Sequence, residues 1–148
     1  MIATCRLVDR LLFGLLALIV TEAFAGPPLV EEISARSGLP ASEVNALLAD
    51  CDSNQTSMNF CAWRDQIVAE RELQKVVDRQ KSAHPEHKAA LDARIAKWKK
   101  ARDASCEKSA RKEWDGGSMW PAAQAICVTA ATKKMTKKLS ATPSHQSS

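Results

Sequence analysis

Tyrosine is missing from this chain, and no stretch sustains the period-two alternation of Val and Ile that a half-buried strand needs, so a sheet is not expected. There is no Gly-x-Ser-x-Gly elbow, no Gly-rich phosphate loop and no Cys-x-x-Cys pair. Their absence excludes the usual hydrolase nucleophile, nucleotide cradle and dithiol redox centre. Histidine occurs three times. His84, His87 and His145 fall in a loop, a helix start and a polar tail, where a solvated imidazole is the ordinary state. His84 and His87 flank Pro85 with no cysteine nearby, which is not a zinc-ligand set. The reading is of a protein that binds and does not catalyse, with no cofactor and no metal.

Residues Met1 to Ala25 have the three parts of a secretory leader. Arg6 and Arg10 make the positive start, Leu11 to Val20 the apolar middle, and Ala23-Phe24-Ala25 the small-residue cleavage site. The apolar run of about ten residues is too short to span a bilayer as a helix. Cleavage after Ala25 is expected, giving a periplasmic or secreted protein that is not an integral membrane protein. Removing 25 of the 148 residues leaves 123, enough for one domain. The leader carries two basic and two acidic residues, so the net charge stays at +4. That mild excess, on an exported chain, does not point to nucleic acid.

Cys5 leaves with the leader, and the odd count of five becomes an even four. Cys51, Cys61, Cys106 and Cys127 permit three pairings. The pairing Cys51–Cys61 and Cys106–Cys127 is favoured because both loops are local, and each crosslink is worth about 3 kcal/mol of loop entropy.

Helical signals fill the remainder. Val30 to Ser37 and Ser42 to Ala49 read as two short helices broken by Gly38-Leu39-Pro40, with Ser42 as an N-cap. Their spacing is that of a DNA-binding hairpin, but one arginine against Glu31, Glu32, Glu43 and Asp50 is the wrong sign for phosphate. A small apolar hairpin packed on the main domain is expected over residues 26–50. A long amphipathic helix starts at Thr56 or Ser57 and runs to about Lys81, with Met58, Cys61, Ala62, Val68, Ala69, Leu73, Val76 and Val77 inward. Pro85 opens the next, to Trp114, with Leu91, Ile95, Trp98, Ala101 and Cys106 on one stripe. Arg102 lies one turn beyond Trp98, placed to stack on the indole or to pair with a buried carboxylate. Asp115-Gly116-Gly117-Ser118 is a turn with Ser118 as the following N-cap. A last helix runs from about Met119 to Leu139, with Ala123, Ile126, Cys127, Ala130 and Leu139 inward. Residues 140–148 read as a disordered tail. The fold class is all-α: a small antiparallel bundle of three main helices with an N-terminal helical hairpin, stapled by disulfides.

The run from Cys51 through Thr56, Met58, Asn59 and Cys61 to Ala62 resembles the opening block of the LprI-type lysozyme-inhibitor domain. Trp98, Arg102, Asp103, Ala104 and Cys106 resemble its second signature, followed in order by Gly116-Gly117-Ser118, Cys127, Thr132 and Leu139. The resemblance covers residues 51–139. It departs from the family pattern at Glu70, Gln74, Val77, Ala101 and Met135. It implies a bacterial envelope protein whose partner is lysozyme, acting by occluding the enzyme's cleft.

No inhibitory residue set transfers with the motif. A cleft with two carboxylates calls for a basic or amide-rich protrusion. Lys108, Arg111 and Lys112, leading into Gly116-Gly117, are the candidate protrusion, with Trp114 and Trp120 as anchors unless those indoles pack the helix ends. Animal-type lysozymes are themselves basic, so a +4 inhibitor has no long-range steering toward them. The second candidate surface is Lys133, Lys134, Lys137 and Lys138, a cationic helix face suited to an anionic envelope polymer or lipid headgroups.

Overall fold

A computed structural model describes residues 28–141; the expected leader and residues 142–148 of the expected tail, with His145, lie outside them, while Ser140, assigned to that tail, is the last residue of α5. Five α-helices follow in order: α1 (Leu29–Ser37), α2 (Ala41–Ala49), α3 (Gln55–Ala83), α4 (Lys88–Trp114) and α5 (Trp120–Ser140). A 3-10 turn, Pro85–His87, joins α3 to α4. Among the described residues there is no strand, as the missing alternation predicts.

The breaks follow local chemistry, with the caps shifted from their expected places. Gly38 ends α1 at φ 76°, a left-handed conformation that glycine adopts without steric cost. Pro40, not Ser42, occupies the cap of α2, and Ser42 lies exposed inside the first turn. Asn54, not Thr56 or Ser57, caps α3: its Oδ1 accepts the Ser57 amide at 3.0 Å. The earlier start leaves the Ser57 hydroxyl buried, where the Ser53 hydroxyl donates to it at 3.0 Å. Pro85 begins the 3-10 turn and α4 itself starts at Lys88; the residue before the proline, His84, is held out of the helical region (φ −135°, ψ 69°), which ends α3 at Ala83. Ser118 supplies no cap to α5.

Register defines the bundle. Asn59 Nδ2 donates to the Ser118 carbonyl at 3.2 Å, and Gln80 Nε2 to the Leu139 carbonyl at 3.3 Å. Both pairs are 59 residues apart, so α3 and α5 run parallel and in step over their whole shared length. Contacts between α4 and α5 step backward along one as they step forward along the other (Arg102 to Thr132, Cys106 to Cys127), so α4 is antiparallel to both. α5 packs closely on α3 and α4, while α3 and α4 approach each other much less.

Three clusters hold these elements. Leu73, Val76, Val77, Ile95 and Leu139 form the core of the far end, with Leu91, Trp98 and Met135 against it. Ile33, Val44 and Ile67 seat the α1–α2 hairpin on α3, helped by Phe60 and Trp63. Arg71 of α3 donates to Glu32 of α1 at 2.9 Å and ties the hairpin from the side. Toward the start of α3 and α5, Ala62, Ala122 and Ala125 bring those two helices together through methyl groups. Each fully buried aliphatic side chain in these clusters contributes about 1.5–3 kcal/mol.

That alanine seam corrects the expected inward faces. Ile126 is 58% exposed and Ala130 is exposed, whereas Ala122, Ala125, Val128 and Thr132 are buried. Val68 is 43% exposed and its neighbour Ile67 takes the buried position. On α4, Ala101 is exposed and Arg102 occupies the stripe. Close helix approach selects small residues, and a hairpin covering a second side of α3 gives that helix two buried faces.

Both expected disulfides are present, Cys51–Cys61 and Cys106–Cys127, with Cα atoms 5.7 and 5.6 Å apart. The first ties the α2–α3 connection to α3. The second joins α4 to α5.

Candidate functional site

The α4–α5 turn lies at one end of the bundle, its permissive glycine backbone held in place by hydrogen bonds. Asp115 (φ 44°) and Gly116 (φ 72°) are successive left-handed residues that reverse the chain after Trp114. The Asp115 amide donates to Arg111 O at 2.8 Å, and the Gly117 amide to Trp114 O at 2.7 Å. A Cβ on Gly117 would lie 3.0 Å from that same backbone carbonyl, so any side chain there would force the turn to give by a few tenths of an ångström. The Trp120 amide then donates to Gly117 O at 2.9 Å and opens α5.

Two ties hold this turn from behind. The Cys106–Cys127 disulfide lies about 12 Å back along both helices, at 1.5 Å per residue. Asn59 reaches across from α3 to the Ser118 carbonyl, its own Oδ1 accepting from Gln55 at 2.9 Å. A residue in the first turns of one helix thus braces the turn that joins two others, a contact no local spacing reveals.

The predicted site residues separate in this frame. Lys108, Lys112, Trp114, Gly116 and Gly117 are exposed around the turn, with Trp114 at 38%. Arg111 is exposed but engaged: its Nε donates to Glu107 at 3.1 Å and its guanidinium sits 4.9 Å from the Trp120 ring centre. Trp120 is half-buried, and its Nε1, fully buried, has no hydrogen-bond partner among the described residues. Trp120 therefore packs the root of the turn while Trp114 stands free at its rim. The turn is not a net-basic protrusion, because Glu107, Glu113 and Asp115 balance Lys108, Arg111 and Lys112. Its outward donors are the lysines on its flanks: at the start of α5 the Trp120 and Ala123 amides donate to the Gly117 and Met119 carbonyls, Pro121 has no N–H, and Ala122 is buried.

A second constellation lies midway along the bundle. Arg102, 4% exposed at its side chain, gives Nη1 to Thr132 Oγ1 at 2.7 Å, Nη2 to Glu70 Oε1 at 2.8 Å and Nε to Asp103 Oδ1 at 2.8 Å. Its guanidinium also lies 5.1 Å from the Trp98 ring centre. Stacking and pairing, foreseen as alternatives, occur together and join all three main helices. Buried, with all three guanidinium nitrogens engaged, Arg102 reads as a structural pin. The basic face of α5 is as predicted in exposure: Lys133, Lys134, Lys137 and Lys138 all face solvent. Among the described residues no group of His, Cys, Asp and Glu is arranged to hold a metal ion, and no helix is long and apolar enough to cross a membrane.

Residues 49–139 match the family model described as Lysozyme inhibitor LprI, a span that runs from the end of α2 to the last turn of α5. No curated protein matches the chain, and no solved structure does.

Proposed function

The chain belongs to the LprI lysozyme-inhibitor family, and from that membership we propose that it is an exported protein that inhibits a lysozyme by inserting the α4–α5 turn into the substrate cleft. The observation that carries the reading is the family match itself, which takes in the turn, both disulfides and the helices that brace it. The geometry supplies the means. A retaining glycosidase holds two carboxyl groups about 5–5.5 Å apart in an open groove. A rigid turn of two glycines is narrow enough to enter such a groove, and a preorganised loop loses little entropy on binding. Trp114 at the rim offers an aromatic anchor, and Lys108 and Lys112 offer donors to the carboxylates.

The test uses the mature chain and lysozymes of several types assayed in parallel on cell walls. Inhibition is expected near one-to-one stoichiometry, and Trp114→Ala should weaken it by roughly tenfold or more while leaving the circular dichroism unchanged. Indifference of every lysozyme type would end the proposal. Inhibition untouched by Trp114→Ala, Lys108→Ala and Lys112→Ala would move the contact away from the turn.

A further inference from the structure

The pin of Glu70, Arg102 and Thr132 divides the bundle into two ends of opposite charge. Residues 70–102 and 132–141 carry 14 basic and 5 acidic side chains, whereas the other described residues carry 5 basic and 10 acidic. The modest total of +4 thus resolves into +9 at one end and −5 at the other. Chain order conceals this, because the basic end is assembled from the second half of α3, the first half of α4 and the last turns of α5.

We propose that this basic end is a docking surface for a flexible phosphate polyanion. The charge there is available: Arg79, Arg94, Lys97, Lys100, Lys133 and Lys137 make no ion pair among the described residues, while Lys75 and Lys81 are matched by Glu72 and Asp92. Neighbouring helix axes lie about 8–10 Å apart, within about one Debye length at 0.1 M salt, so cations on different helices act on one ligand together. A shallow depression lined by Gln80, His84, His87, Leu91 and Arg94 adds polar groups between the end of α3 and the start of α4.

Two observations favour a chain-like polyanion over a lipid surface. The exposed large apolar residues, Val68, Trp114 and Ile126, all lie in the acidic half, so the basic end has no anchor to bury among acyl chains. Its cations also point outward from three helices around the bundle. A plane meets only one of those faces, whereas a flexible polymer follows all three. The inhibitory turn is at the opposite end, so both ligands can be held at once.

The experiment titrates the mature chain with long-chain inorganic polyphosphate in the absence of lysozyme, which keeps it independent of the inhibitor reading. Binding is expected at about 50 mM salt and should weaken at least about tenfold by about 200 mM, as counterion release requires. Reversing exposed charges at the basic end (R94E, K97E and K137E together, and separately R79E with K133E) should weaken it by roughly tenfold or more, while K108E with K112E should change it by less than about twofold. Circular dichroism of each variant confirms folding. Absence of binding at low salt, equal losses from both ends, or tighter binding to vesicles of equal parts phosphatidylglycerol and phosphatidylcholine would each overturn the proposal.

Discussion

Arg102 and Glu70 meet across α4 and α3 with 2.8 Å between Nη2 and Oε1, and the arginine is much the more buried partner, at 4% against 24% exposure. The gap between these two helices is wider than either leaves to α5, and long side chains fill it. Replacing Arg102 with Met should therefore cost about 1–3 kcal/mol, because partly buried Glu70 loses its countercharge and Thr132 Oγ1 loses a donor, while Gln66 still reaches Glu70 and the Thr132 hydroxyl still donates to Val128 O. Glu70→Gln should cost about 1 kcal/mol, since Asp103 still faces the guanidinium. Urea unfolding of the two variants measures both; an Arg102→Met loss below about 0.5 kcal/mol would show that the pin contributes nothing.

The two crosslinks differ in what they hold. Loop-entropy arithmetic assigns each about 3 kcal/mol, slightly more to Cys106–Cys127, whose separation of 21 residues exceeds the 10 of Cys51–Cys61. Their effects on lysozyme inhibition should diverge. Cys106→Ala with Cys127→Ala frees the base of the turn and should weaken inhibition, whereas Cys51→Ala with Cys61→Ala should lower the melting temperature and leave inhibition near its starting value. Identical inhibition by the two double variants would contradict the assigned roles.

At the alanine seam, Ala62→Leu should destabilise by about 1–3 kcal/mol, because three extra carbons have no space between α3 and α5. Ile126→Lys, on the outward side of α5, should stay within about 0.5 kcal/mol of the parent. Thermal melts that ranked these two in the reverse order would place α5 in the wrong rotation.

Gly116 supports the turn by its positive φ, with open space around the position of a Cβ. Gly116→Ala should therefore cost about 1 kcal/mol from backbone conformation alone, without a clash. Gly117→Ala drives a methyl toward the Trp114 carbonyl and should shift the turn, so it should weaken inhibition more than its stability cost implies. Equal inhibition by Gly117→Ala and the parent chain would mean that the turn is not the contact.

Much of the architecture is legible along the chain because its signals are local. Gly38, Pro40, Pro85 and Gly116-Gly117 punctuate the helices whatever surrounds them, and the predicted spans fall within a few residues of those observed. The favoured disulfide pairing also follows from short separations. Residue size misled at α5, where Ile126 looked like core and Ala122 and Ala125 did not. Apolar periodicity identifies a helix face, but when helices pack at short range the smallest side chains own the seam. Ile67 and Val68, one residue apart, exchanged places because the hairpin covers a flank of α3 that a single inward stripe does not include.

The amino-acid order by itself determined the helices, their breaks, the crosslinks and the family, since each is written in residues close together or in a fixed motif. Tertiary structure alone decided that Asn59 braces a turn 59 residues away, that Arg102 is buried among three helices, and that a net charge of +4 is parted into opposed ends. Those features depend on parallel and antiparallel register, and register is set by side-chain packing between segments that are remote in the chain.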